Sequence, residues 1–385
     1  MIKVKQNTFR SVFKIKHINN LLFNSLGFRD KQDEEKEFIN FATDDFLGIN
    51  RKFRQKGHVK HQSINTFTEG NYVINSLQKI FNSKLTFFPD ETMVQQEILN
   101  QIIKQNDLIV LDELVNPTLK LAVKQLHYNK ILTVGNNDLE KLEELVNTQY
   151  LKGHNIWYVA QSVYPVPGTA IPIKKINILL RKYNHLFCYI DESYGLSWSG
   201  TGGRGLILEN VNSLEKLVVS AYLTKGFGAN AGAVAISNNP EFSLISKINE
   251  IGSNIQSLSF AADLHNSDEL ILLQSQLQEN ISYYHGLIGG HLPCISNPEL
   301  PVSFVAGGLP EVCHEICSQM LKEGFYVSPA IFPHASIKQP GIKINISASQ
   351  TKKHIKNMTD ALKQAYNITL KKRNKTLTDL LENKN

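Results

Sequence analysis

The sequence predicts an α/β protein, with a large domain on a mostly parallel sheet and a smaller α+β domain after it. Between residues 85 and 236, seven short apolar runs (LTFF, LIVLDE, KILTVG, IWYVAQS, LFCYIDES, KLVVSAY and GAVAIS) alternate with helix-like segments such as ETMVQQEILNQIIKQ and NDLEKLEELVNTQ. Runs that stay apolar instead of alternating fit strands buried on both faces, the condition of a parallel sheet covered by helices. The length of 385 residues exceeds the size at which one core usually divides. Past about residue 270 the pattern changes: a long helix-like stretch leads to PVSFVAGG, GFYVSPAIFP and GIKINISAS, which read as a short antiparallel sheet, and TKKHIKNMTDALKQAYNITLKKR reads as a final helix. The expected organisation is an N-terminal segment over 1–50 packing on the small domain, a large domain over 51–270 and a small domain over 271–385.

Composition is that of a folded protein, with 42% apolar and 20% charged residues, and the net charge of +6 is modest for this length. The lysines are scattered, which argues against nucleic acid as a partner and leaves acidic small molecules open. The four cysteines (Cys188, Cys294, Cys313 and Cys317) form no disulfide framework, and CHEIC lacks a second ligand pair, so Cys313 and Cys317 read as helix core and no metal is expected. A reducing, cytoplasmic setting follows. No window is long and apolar enough for a membrane span. The basic N-terminus, without acids before Asp30, reads as an amphipathic surface helix with Phe9, Val12, Phe13 and Ile15 on its apolar face.

In a parallel sheet, ligands sit beyond the C-terminal strand ends. LFCYI runs into Asp191, KLVVSAY stops just before Lys225, and IWYVAQS ends at Ser162. An anion, an amine and a hydroxyl thus meet at one sheet edge. Glycines around Lys225 would let backbone approach a bound group closely. A lysine amine can join the aldehyde of pyridoxal 5'-phosphate, and that cofactor also needs a carboxylate facing its ring nitrogen. Lys225 and Asp191 fit these two catalytic roles, with Lys225 then moving the Cα proton.

Five ordered segments strengthen this. NFATDDFLGI (Asn40–Ile49) is similar to Asn-Phe-Ser-Ser-Asn-Asp-Tyr-Leu-Gly-Leu, and QSVYPVPGTAIPI to Glu-Ser-Val-Tyr-Ser-Met-Asp-Gly-Asp-x-x-Pro-Leu. DESYGLSWSGTGGRG keeps the spacing of Asp-Glu-Ala-His-Gly-x-Gly-x-x-Gly-x-x-Gly-Arg-Gly, including Gly195, Gly200, Gly203, Arg204 and Gly205. LTKGFGANAG and GIKINISASQT match the lysine and small-domain motifs. Over about residues 38–365 the chain resembles the α-oxoamine synthase family of fold-type I pyridoxal-phosphate enzymes. The resemblance implies a seven-stranded mostly parallel sheet, pyridoxal 5'-phosphate, amino-acid and acyl-CoA substrates, and a homodimer with its active site at the interface.

The departures bear on function. Tyr194 stands where the family's histidine touches the cofactor's phenolic oxygen, and supplies a hydroxyl instead. The second partner of that oxygen, a family serine, falls at Pro165, with Ser162 nearby. Asn116 takes the place of the histidine stacked on the ring, and Tyr222 that of a phosphate-binding hydroxyl. The phosphate turn becomes Asp90, Glu91 and Thr92; backbone N–H groups at that helix start suit a phosphate, although Asp90 also fits a plain N-cap. Ser257 completes the expected cofactor contacts. Lys343 replaces the arginine that grips the substrate carboxylate, keeping the charge and losing the fork. The implied reaction condenses an amino acid with an acyl-CoA to an α-aminoketone, nominally as an 8-amino-7-oxononanoate synthase. The alternatives are an aminotransferase using a keto acid, and a catalytically weak binding or scaffold protein on the same fold.

Overall fold

The computed structural model describes residues 3–6, 12–16, 36–55, 66–88, 91–127, 130–150, 153–211, 213–237, 255–332, 335 and 339–382. The chain divides into two compact units, one of residues 1–48, 165–169 and 275–385, the other of 49–164 and 170–274. The short excursion 165–169 therefore belongs with the first unit.

The second unit holds seven strands: β1 (Lys84–Phe88), β2 (Leu108–Asp112), β3 (Lys130–Val134), β4 (Ile156–Gln161), β5 (Leu186–Asp191), β6 (Leu217–Tyr222) and β7 (Gly232–Ile236). They form one sheet in the order β1-β7-β6-β5-β4-β2-β3. The pairs β6·β5, β5·β4, β4·β2 and β2·β3 are parallel, and β7 runs antiparallel to both its neighbours. Every residue of β2, β4, β5, β6 and β7 is buried, as the continuous apolar runs require.

Successive side chains point to opposite faces, so each strand feeds two cores. On one face Val110, Tyr158, Cys188, Ile190 and Val219 pack with α2 (Thr66–Phe81), α5 (Leu139–Thr148), α6 (Ile173–Lys182) and α8 (Ile255–His265). On the other, Ile109, Trp157, Val159, Phe187 and Val218 pack with α3 (Glu91–Ile102) and α4 (Pro117–Lys124). The helices α1 (Ile49–Gln55) and α7 (Gly205–Asn210) complete this numbering.

The first unit carries an antiparallel three-stranded sheet of Val302–Ala306, Gly341–Asn345 and Ser328–Ala330, beside the packed helices Pro310–Lys322 and Lys352–Lys372. Cys313 and Cys317 are buried there with free thiols. The N-terminal helix expectation is overturned: Val12–Lys16 is a strand between Lys3–Gln6 and Lys36–Asn40, antiparallel to both. Phe13 and Ile15 alternate with Lys14 and Lys16, and a period of two is a strand pattern. Phe9 lies outside the described residues. No described helix is long and apolar enough to cross a membrane.

Candidate active site

β5 ends at Asp191, set opposite Gln161 of β4 and Ser220 of β6. Its carboxylate is buried and held by four donors. Oδ1 accepts the Ser193 amide at 2.9 Å and the Ser193 hydroxyl. Oδ2 accepts Nε2 of Gln95 at 3.0 Å and Nδ2 of Asn116 at 2.8 Å. Burial raises the carboxyl above its ordinary range; the two Ser193 donors, the Lys225 charge and Asn116 work in the opposite direction.

Lys225 lies three residues beyond the end of β6, in a loop closed by Leu223 N–H on Ala231 O at 2.9 Å and Ala229 N–H on Leu223 O at 3.1 Å. Nζ donates to the Tyr194 hydroxyl at 3.0 Å and lies 4.1 Å from that ring's centroid. Asn50 of α1 ties the loop down, donating from Nδ2 to Thr224 O at 2.8 Å. The glycines serve this packing. A Cβ at Gly226 would lie 2.6 Å from Leu196 O, and one at Gly228, where φ is +81°, would lie 2.5 Å from Ile49 Cγ2. Their bareness lets the loop close against protein backbone and α1.

The structure thus gathers Asp191, Asn116, Tyr194 and Lys225 at the C-terminal edge of β5 and β6. Asn116 turns its amide to Asp191 while its Oδ1 caps α4 by accepting Leu119 N–H at 2.8 Å. Tyr222 is buried, its N–H on the Ser193 hydroxyl at 2.8 Å. Ser162 is buried against the turn after β5, its Oγ 3.0 Å from where a Gly195 Cβ would stand. Ser257, on α8, accepts Asn230 N–H at 3.2 Å. Glu91 begins α3 and Thr92 follows; their side chains, like Asp90, lie outside the described residues. Lys343 belongs to the first unit, where Nζ pairs with Asp44 at 3.2 Å and Asn345 donates to the same carboxylate at 2.9 Å.

Solved structures share this architecture. A serine palmitoyltransferase from S. paucimobilis superposes with a TM-score of 0.77 at 16% identity, covering 96% of this chain and 93% of that one. An 8-amino-7-oxononanoate synthase from Francisella tularensis gives 0.68 at 16% identity, covering 86% and 98%. In sequence, the 8-amino-7-oxononanoate synthase of Buchnera aphidicola is 21% identical over 393 residues, covering 94% of this chain and 97% of the relative. A putative 8-amino-7-oxononanoate synthase of Methanococcus vannielii is 22% identical over 362 residues, covering 87% and 94%. In fold and over most of its length the chain is thus similar to α-oxoamine synthases. The 8-amino-7-oxononanoate synthase of Salmonella newport is 24% identical over 221 residues, and the chain spans about half (55%) of that relative. No family model matches the chain.

Four residues here were not anticipated. Gln95 and Ser193 ligate Asp191, Gln161 accepts Asn116 N–H at 2.7 Å, and Asn50 anchors the lysine loop. Ser193 carried a signal, being a hydroxyl two residues past a strand-end aspartate. Gln95, a polar position in an ordinary-looking amphipathic helix, carried none. Glu192, next to Asp191, is buried and accepts Leu206 N–H at 3.2 Å and Ile207 N–H at 2.6 Å, at the start of α7. Burial pushes its carboxyl up to about 8, against those two amides.

Proposed function

We propose that the protein is a pyridoxal 5'-phosphate-dependent acyltransferase of the α-oxoamine synthase type, joining an amino acid to an acyl-CoA, with 8-amino-7-oxononanoate synthesis as the nominal reaction. The residues present fit the cofactor. Gln95 Oε1 is buried beside Asp191 with no hydrogen-bond partner among the described residues, so a carboxylate and an unmet acceptor lie together in a dry site that suits a cationic N–H. Lys225 is half-buried, at the rim of the same strand ends.

Lys225 would hold the cofactor's aldehyde carbon, Asp191 its ring nitrogen, and Tyr194 its phenolic oxygen. The start of α3 at Glu91 would hold its phosphate by backbone N–H groups. When bound, the cofactor supplies an electron sink for the pair left behind by a proton lost from the substrate's Cα. Asp191 keeps a negative charge at the foot of that sink, in a place water does not reach. Lys225 Nζ removes and returns the Cα proton, and the Tyr194 hydroxyl at 3.0 Å orients it. Lys343, paired with Asp44, is the proposed anchor for the substrate carboxylate. A homodimer belongs to the same proposal.

The hydrogen bond between Lys225 and Tyr194, one parallel strand from buried Asp191, carries this reading. It is tested by incubating the purified protein with the cofactor, an amino-acid panel and acyl-CoA, and following thiol release. Thiol release that needs both cofactor and one amino acid supports it. Because a tyrosine hydroxyl sits on the lysine amine, an aminotransferase is the second reading, and keto-acid-dependent amino transfer without thiol release would favour it.

A further inference from the structure

Four protein donors hold the Asp191 carboxylate, Ser193 supplying the two on Oδ1 and Gln95 and Asn116 the two on Oδ2. The two amides reach Oδ2 from different helices on the same face of the sheet, α3 and the cap of α4. We propose that Gln95 and Asn116 are positioning residues, an amide clamp that keeps the Asp191 carboxylate ionised and oriented, and so sets the pH range over which the protein holds its cofactor. This rests on the reading of Asp191 as the cofactor's ring-nitrogen partner.

Asn116 is fixed at three points: Oδ1 on Leu119 N–H, its own N–H on Gln161 Oε1 at 2.7 Å, and Nδ2 on Asp191. Its amide direction is thus set by the helix cap. Gln95 is fully buried, and its Nε2 donates to Asp191 while its Oε1 has no partner among the described residues. That arrangement spends an orphaned carbonyl to keep the donor on the carboxylate. Around Asp191, β5 contributes Tyr189, the turn after it Glu192, β4 Gln161, β6 Ser220, and the loop after β6 the cation Lys225. Burial favours the protonated acid, and donors to Oδ2 favour the anion. Removing one donor therefore moves the carboxyl further up.

The test is cofactor affinity against pH, read from the visible absorbance of the bound cofactor, in the wild type, Asn116→Ser and Gln95→Met. Serine preserves an N-cap acceptor for α4; Gln95→Met touches no cap and decides alone if the first variant does not fold. Loss of a charge-assisted donor should move the acid limb of the binding curve up by about one to two pH units, measured against each variant's own alkaline plateau. Weakening by the same factor at every pH, or an unchanged curve, would overturn the clamp while leaving the function reading intact. A wild type that never binds the cofactor would sink both.

Discussion

Tyr194→Phe removes one oxygen from the candidate site and little else. The ring stays, and with it the contact between Lys225 Nζ and the ring face at 4.1 Å. What is lost is the hydroxyl 3.0 Å from Nζ. A hydroxyl that close to the lysine nitrogen can turn its O–H toward an anionic oxygen carried next to that nitrogen, which is the place of the cofactor's phenolic oxygen in the proposal. A hydrogen bond to a charged partner contributes about 1.5–3 kcal/mol, or about one to two pKa units. The donor stabilises the ionised oxygen, so its removal favours the protonated, lysine-bound form. The midpoint of the visible spectral transition of the lysine-bound cofactor should rise by about one to two pH units in Tyr194→Phe, with cofactor content and melting temperature kept. A spectroscopic pH titration of both proteins measures it. A midpoint that stays in place or falls would refute the donor role and leave Tyr194 as packing beneath Lys225.

Asp191→Ala should retain a covalent cofactor on Lys225 but slow Cα-proton exchange of a good substrate by about 10²–10³-fold or more, as for other groups that stabilise developing charge; exchange followed by NMR at wild-type rates would contradict its role. Gly228→Ala places a Cβ 2.5 Å from Ile49 Cγ2 in a backbone with φ of +81°, and should cost about 1–3 kcal/mol, visible as a lower melting temperature. The buried Glu192 carboxyl, raised to about 8, contributes stability that is complete below the ordinary glutamate range. That contribution declines as pH rises toward about 8 and is gone above it. Glu192→Gln lacks this dependence, so the stability gap between wild type and variant should shift by a few kcal/mol against the wild type between acid and alkaline denaturation curves; parallel curves would contradict it.

Much of the fold was legible because burial on both faces writes itself into sequence. The runs that became β4 and β5 are apolar at nearly every position, and all twelve residues are buried. Strand ends then located Asp191 and Lys225 without any tertiary information. The N-terminal segment was misread because Val12, Phe13 and Ile15 suit either period over so short a stretch, and pairing with Lys3–Gln6 and Lys36–Asn40 settles it as a strand. The clamp was hidden for a different reason. Gln95 and Asn116 stand 21 residues apart on separate helices and meet only at Asp191, a non-local fact that no local pattern encodes. Asn116 was read from its alignment with a stacked histidine, whereas its cap on α4 and its bond to Gln161 decide where its amide points. The glycines after Lys225 were legible as close approaches, but what approaches them, Leu196 O and Ile49, depends on how α1 and the turn after β5 fold back.

Lys225 is the amine proposed to hold pyridoxal 5'-phosphate. Borohydride reduction of the cofactor-saturated protein, followed by peptide mass mapping, tests it most directly. A single pyridoxyl-phosphate adduct is expected, on the peptide containing LTKGFGANAG and at Lys225. An adduct confined to any other lysine, or none after saturation, would contradict it.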